Sequence, residues 1–258
     1  MSAEISPKDR FITVYGRNPV HEVLLDANLG VDKVVIAEGA RGGSIRQIEQ
    51  AARRRGVPVQ RASAERVKKL AGNGRQDQGV FADVLAPRMR PLDLALDAGP
   101  LAVVLVLDGI TTPANVGMII RSATAAGLDG IVVPRRGVAS LDPLVVKASA
   151  GVAFRAPILK CATATEAVGL LREHGFHVVG LDAAGEADLF TARLPRRVAF
   201  VLGSETAGLG EQVRTLVDEW VSIPMASGVE SLNVAAAAAV VCFELVRRAR
   251  VGSGTGLD

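Results

Sequence analysis

Residues 101–121 read LAVVLVLDGITTPANVGMIIR, and the division of the whole chain follows from them. Leu101 to Leu107 is an apolar run rich in β-branched valine, the pattern of a strand covered on both faces. A loop from Asp108 follows, and then a helical pattern reaching Ala126, with Gly127 placed to close it. Asn115 is expected to cap that helix. Arg121 comes six residues later, nearly two turns along and about 120° around, so the two side chains can flank one cleft without touching. Taken as an isolated pair, they read only as a cap and a surface cation.

Towards the carboxyl end the same strand, turn and helix unit recurs. Apolar segments at Gly130–Val133, Ala156–Lys160, Phe176–Leu181, Val198–Leu202 and Trp220–Ile223 alternate with helical patterns near Pro143–Ala148 and at Ala164–His174, Leu209–Val217 and Asn233–Arg248. That alternation predicts an α/β fold with a mostly parallel sheet and helices on both faces. In such sheets ligands bind beyond the carboxyl ends of the strands, which directs attention to the loops there. Towards the amino end, residues 11–85 form a second, smaller α/β pattern, with a flexible turn at Gly72, Asn73 and Gly74. Pro87, Pro91 and Pro100 punctuate the stretch between the two patterns. The expected organisation is a small domain over 1–85, a linker over 86–100 and a larger domain over 101–258.

The chain has 258 residues, of which 49% are apolar and 22% charged, ordinary for a globular protein with a sizeable core. Only 3% are aromatic, so Tyr15, Trp220 and seven Phe cannot build the stacking platform of a typical single-strand binder. No apolar run approaches the roughly 20 residues that span a bilayer, and Met1 to Arg10 is polar rather than a signal sequence. The expectation is a cytoplasmic protein without membrane attachment. Cys161 and Cys242 lack metal-site or disulfide spacing and read as small buried apolar residues. No metal site is expected.

Net charge is only +3, but it is unevenly placed. Residues 41–75 hold ten Lys or Arg against Glu49 and Glu65, a local balance of +8, whereas the remainder, with 20 basic and 25 acidic residues, stands at −5. Such an excess is what gripping a phosphate backbone requires, although a solvated arginine-rich helix face would look the same.

Two further loops matter. After Val198–Leu202 comes Gly203, Ser204, Glu205, Thr206, Ala207, Gly208, Leu209, whose glycines allow close backbone approach to a ligand. It is not GxGxxG, and no GxxxxGK[ST] occurs in the chain, so neither the dinucleotide fingerprint nor a P-loop is present. The third loop runs from Ile223, Pro224, Met225 through Ser227, Gly228, Val229 and Glu230 to Ser231, Leu232, Asn233, Val234 and enters a very apolar helix that Asn233 is expected to cap.

In this order, NxGxxxR (Asn115, Gly117, Arg121), GSExxGL (Gly203 to Leu209) and IPM followed by SLNV resemble the three motifs of the SpoU, or TrmH-type, group of SPOUT RNA ribose 2′-O-methyltransferases. The resemblance covers Leu101 to Arg248. Val14 to Val84, with Tyr15 to Val20 and Gln78, Gly79, Val80, resembles that group's substrate-binding domain, which is similar to an L7Ae or L30e ribosomal protein. The whole chain resembles the bacterial 23S ribosomal RNA guanosine-2′-O-methyltransferase subgroup.

The resemblance implies a deep trefoil knot at the carboxyl end, bent S-adenosylmethionine within it, and a homodimer. It implies that Gly203, Ile223, Met225 and Leu232 hold the cofactor through main chain, with Leu202 and Glu205 nearby, and that Asn115, Arg121, Glu205, Ser231 and Asn233 are the functional polar residues. The pocket is expected to be lined by main chain and apolar groups rather than by an acidic residue on the ribose. Ala235 departs from the pattern, since many relatives carry Ser there. Arg17 and the basic cluster Arg53, Arg54 and Arg55 are the expected RNA-binding residues. The resemblance also implies that Arg121 takes the ribose hydroxyl proton. A guanidinium with a pKa above about 12 is a poor base, so first principles favour a clamp on phosphate and developing alkoxide. His21, His174 and His177 lie outside the three loops.

Two other classes compete. A pure RNA-binding module would explain the basic segment but not the second domain, and a dinucleotide-dependent oxidoreductase would explain the parallel sheet but lacks the fingerprint.

Overall fold

The computed structural model describes Ser6 and residues 9–71, 77–226 and 231–253. The turn expected at Gly72 to Gly74, Arg75, and Ser227 to Glu230 of the third loop lie outside the described residues.

The smaller unit runs β1 (Phe11–Tyr15), α1 (Arg17–Leu25), β2 (Val31–Ala37), α2 (Gly43–Arg54), β3 (Val59–Ala62), α3 (Ala64–Ala71) and β4 (Val80–Leu85). Its sheet has the order β1-β4-β2-β3, with β4 antiparallel to both neighbours and β2 parallel to β3. Helical period explains α2: Ile45, Ile48, Ala51 and Ala52 are buried on one face, while Arg46, Arg53 and Arg54 stand exposed on the other.

The larger unit comprises β5 (Arg90–Pro91), α4 (Leu92–Ala98), β6 (Val103–Leu107), α5 (Pro113–Ala126), β7 (Gly130–Val132), α6 (Pro143–Ala148), a 3-10 turn at Val152–Arg155, β8 (Ile158–Lys160), α7 (Ala164–Glu173), β9 (His177–Leu181), β10 (Ala187–Asp188), β11 (Val198–Leu202), α8 (Glu211–Arg214), β12 (Glu219–Ser222) and α9 (Val234–Ser253). Its sheet has the order β10-β12-β9-β11-β6-β7-β8-β5, and every pairing is parallel. Both faces are covered. Leu105, Leu107, Phe200 and Leu202 pack with α5 and α9, while Val104, Val106, Ala199 and Val201 pack with α4 and α7. This is why β6 and β11 read as unbroken apolar runs.

Within the stretch 86–100, expected to be a linker, Arg90–Pro91 pair with β8 at the edge of this sheet and Leu92–Ala98 form α4. Leu92, Ala95 and Leu96 recur at helical spacing and are buried, while Pro91 precedes α4 and Pro100 follows its closing Gly99. The prolines bound an element rather than mark free chain. Helix α8 is shorter than the expected 209–217.

Helix α5 also corrects an expectation. Thr112 occupies the cap position with Pro113 as first helical residue, so Asn115 lies within the first turn. Gly127, at φ 77°, closes the helix as expected. A Cβ on Gly117 would lie 2.5 Å from that of Ala148 and 2.7 Å from the carbonyl oxygen of Val145, so the close passage of α5 over α6 requires glycine. Cys161 and Cys242 are buried free thiols, each pushed up to about 12 by desolvation. Among the described residues no helix is long and apolar enough to cross a membrane.

Candidate functional site

In the strand order, β6 is followed in sequence by β7 on one side, whereas β11 is followed by β12 on the other. The chain therefore turns in opposite directions from these two neighbours, and their carboxyl ends bound the crevice where a parallel sheet places its ligand. Two bonds fix the spacing there: the Asp108 amide donates to the Leu202 carbonyl at 2.9 Å, and the Gly210 amide donates to Asp108 Oδ2 at 2.8 Å.

Three of the expected polar residues meet at that crevice. Asn115 Nδ2 donates to Glu205 Oε1 at 3.2 Å, Asn233 Nδ2 donates to the same oxygen at 2.5 Å, and Asn233 Nδ2 also reaches Asn115 Oδ1 at 3.1 Å. The Val234 amide adds a further bond to Glu205 Oε1 at 3.0 Å, setting a carboxylate at the positive end of α9. Asn233 caps α9 through Oδ1, which accepts from the Ala235 amide at 3.0 Å. The first turn of α5, the loop after β11 and the start of α9 are thus tied by one closed network, in which Asn115 is buried.

Next to it lies a cavity of about 210 Å³. Leu202, Gly203, Ile223, Met225 and Leu232 all line it, and so do Glu205 and Ser231. The glycines serve the loop's own closure: Ser204 and Gly208 exchange backbone bonds at 3.0 and 2.9 Å, and a Cβ on Gly203 would lie 2.3 Å from the Gly208 carbonyl carbon. One acidic lining residue lies outside the three motifs. Asp182, just past the carboxyl end of β9, contributes a carboxylate whose Oδ1 accepts from the Ala184 amide at 3.0 Å. Its signal was available, because it follows a strand adjacent to β11 in the same parallel sheet.

Arg121 is exposed on α5 and has no hydrogen-bond or ion-pair partner among the described residues. It is a permanent cation on the helix that carries Asn115, free to meet an anion from solution.

The expected RNA-binding residues separate. Arg53 and Arg54 are exposed. Arg55 is half-buried and donates to the carbonyls of Val23 and Asp26, each at 2.9 Å, and to that of Leu29, so it holds the end of α1. Arg17 reaches Ser44 Oγ at 3.1 Å and the Gln78 carbonyl at 3.4 Å, joining the starts of α1 and α2 to the turn before β4.

Residues 102–243 match the model of the SpoU rRNA methylase family, and residues 13–90 match that of the RNA 2′-O ribose methyltransferase substrate-binding domain. A relative from Xanthomonas axonopodis pv. citri, named 23S rRNA (guanosine-2′-O-)-methyltransferase RlmB, is 35% identical over 93% of this chain and 97% of its own. Among solved structures, the SpoU methyltransferase AviRb from Streptomyces viridochromogenes is 28% identical with a TM-score of 0.64, covering 94% of this chain and 91% of its own, and it has also been solved in complex with AdoMet. An AdoMet-bound rRNA methyltransferase from Sinorhizobium meliloti is 26% identical with a TM-score of 0.63, covering 93% of this chain and 88% of its own.

Proposed function

The chain belongs to the SpoU rRNA methylase family, and from that premise we propose that it is an S-adenosylmethionine-dependent ribose 2′-O-methyltransferase acting on a guanosine of 23S ribosomal RNA. The observation that carries this reading is the closed network of Asn115, Glu205 and Asn233, which sets the rim of the β11 cavity. The target nucleoside class comes from the RlmB relative, aligned over nearly its full length.

The lining suits the cofactor. Leu202, Ile223 and Leu232 with glycine main chain offer an apolar wall for an adenine, and Glu205 and Asp182, the latter also paired with Arg214 at 3.5 Å, add carboxylates to the lining. When bound, S-adenosylmethionine supplies an electrophilic methyl group on a sulfonium. The residues of the chain do the rest. Glu205, fixed by three donors, holds the loop after β11 against α9. Arg121 binds the substrate phosphate and stabilises negative charge as it develops on the ribose 2′-oxygen, work that suits a guanidinium better than accepting a proton.

The remaining parts of the reading belong together. The smaller unit binds RNA, with Arg53 and Arg54 on its exposed helix face, and the larger unit, which begins at β5, performs the transfer, with its carboxyl end in a trefoil knot. A second copy of the chain covers Met118 of α5 and Phe243 of α9, which are 41% and 52% exposed on helices that pack together. The protein works in the cytoplasm on ribosomal RNA and needs no metal ion for the transfer. Single-turnover methylation of 23S ribosomal RNA lacking the modification tests the reading. Stoichiometric transfer to one guanosine 2′-oxygen is expected, and methyl transfer to a base or to no RNA overturns it.

A further inference from the structure

The two units enclose a second cavity, of about 580 Å³, in the size range of pockets that take ligands as large as a nucleotide. Thr13 and Tyr15 of β1 supply one wall, Arg135 beyond β7 and Lys160 at the end of β8 supply another, and Thr111 and Pro113, which lead into α5, close the third. The cavity therefore lies along the same carboxyl edge of the sheet as the β11 cavity, on the other side of β6.

Its charges balance in number, two cations against two carboxylates, but not in contact. Lys160 has no hydrogen-bond or ion-pair partner among the described residues, and burial, with Arg135 alongside, pushes its ammonium down to about 8. The two nearby carboxylates are committed elsewhere. Asp9 is buried and pairs with Arg135 at 2.5 Å. Asp142 caps α6 by accepting from the Leu144 and Val145 amides, and its other oxygen accepts from the Tyr15 hydroxyl at 3.3 Å. Asp9 lends Lys160 some charge compensation from a distance but is bonded to Arg135, so the ammonium has no direct acceptor; a desolvated cation held that way is costly, and an entering anion lowers that cost. The position selects the anion. Pro113 lines this cavity, and Asn115, two residues later, bonds to Glu205 on the rim of the other, so a chain lying here leads directly to the proposed transfer site.

Resting on the methyltransferase reading, we propose that the cavity between the units seats one unpaired nucleotide of the RNA substrate, its phosphate held by Lys160 and Arg135 and its base against the β1 wall. Proteins read RNA most often through such splayed-out nucleotides.

Anisotropy titration of a labelled single-stranded RNA oligonucleotide over a salt series tests this, with AMP as competitor and S-adenosylmethionine binding measured by calorimetry. Lys160→Gln is expected to weaken RNA binding about tenfold and to lower the salt slope by about 0.7, with Lys160→Arg restoring both and cofactor affinity unchanged. Ser140→Glu places a negative charge at the exposed lip of the cavity without touching its floor, and is expected to weaken RNA equally. Wild-type RNA affinity and slope in both Lys160→Gln and Ser140→Glu, with methyl transfer intact in the wild type, overturn the proposal and leave the methyltransferase reading standing. Displacement of the oligonucleotide by AMP at comparable concentration overturns it in favour of a free-nucleotide site. A wild type that binds cofactor but methylates no RNA overturns the reading and the proposal together.

Discussion

Asn233 donates from Nδ2 to Oε1 of Glu205 across 2.5 Å, while its own Oδ1 caps the helix it begins. One side chain thus fixes the direction of α9 and the position of the loop after β11, two segments 28 residues apart in sequence.

Glu205→Ala removes the shared acceptor of that network and leaves Nδ2 of the buried Asn115 without an acceptor, a loss of about 1–3 kcal/mol. Glu205→Gln keeps an acceptor in place and is expected to cost less than half as much. Urea unfolding of the three proteins decides it, and equal midpoints would mean that the network contributes nothing to stability.

Arg121→Ala is expected to lower the single-turnover methyl-transfer rate by about 10² or more while S-adenosylmethionine affinity stays constant, the scale of losing a charge clamp. Arg121→Lys keeps the charge and loses the planar fork, so the clamp reading expects poor rescue at every pH. Rescue that grows with rising pH would instead assign proton uptake to this position.

The arginine cluster should divide. Arg53→Glu with Arg54→Glu is expected to weaken RNA binding and flatten its salt dependence without altering the melting temperature. Arg55→Ala is expected to cost about 1–3 kcal/mol of stability, because the carbonyls it binds at the end of α1 lose a charged donor. Thermal melting and RNA titration on the same samples separate the two effects, and an Arg55→Ala protein as stable as wild type would refute the capping role.

Lys160 gives a pH dependence of definite sign. Its pKa is about 8 in the folded chain against 10.5 as a free side chain, so between those values the unfolded state binds the extra proton. Folding stability from this group therefore rises as pH climbs from about 8 to 10.5, and below 8 the full penalty of burying the cation applies. Lys160→Met is expected to be more stable than wild type near neutrality, with the advantage fading through that window. An advantage independent of pH would attribute it to packing alone.

Phe243→Asp is expected to convert the proposed dimer to a species of 26.9 kDa by light scattering, with secondary structure unchanged. A wild type that already runs at that mass would rule out the second copy.

How far the sequence can be read depends on where the information lies. Strands β6 and β11 are legible because both of their faces are buried, which leaves an unbroken apolar run in the sequence itself. Helix α4 escapes because Pro91 and Pro100 look like punctuation, although Leu92, Ala95 and Leu96 have helical spacing. At α5 a cap at Asn115 passes over the Thr112-Pro113 pair, a stronger helix start, and so hides that the Asn115 side chain is free to reach Glu205. The five residues carried over by resemblance to the cofactor wall do share one cavity, but Asp182 in that wall lies outside the motifs. Nothing local reveals Arg55, since a guanidinium that caps another helix depends on tertiary contact between segments some thirty residues apart.

The first turn of α5 is a party wall. Pro113 faces the cavity between the units, and Asn115 holds the rim of the other through Glu205. Free energies of occupancy transmitted through such a shared element are symmetric, so whatever factor a bound nucleotide imposes on cofactor affinity the cofactor must return to the nucleotide. Order of arrival then becomes a kinetic matter only. A thermodynamic cycle closed with both ligands would return the same coupling factor along either path.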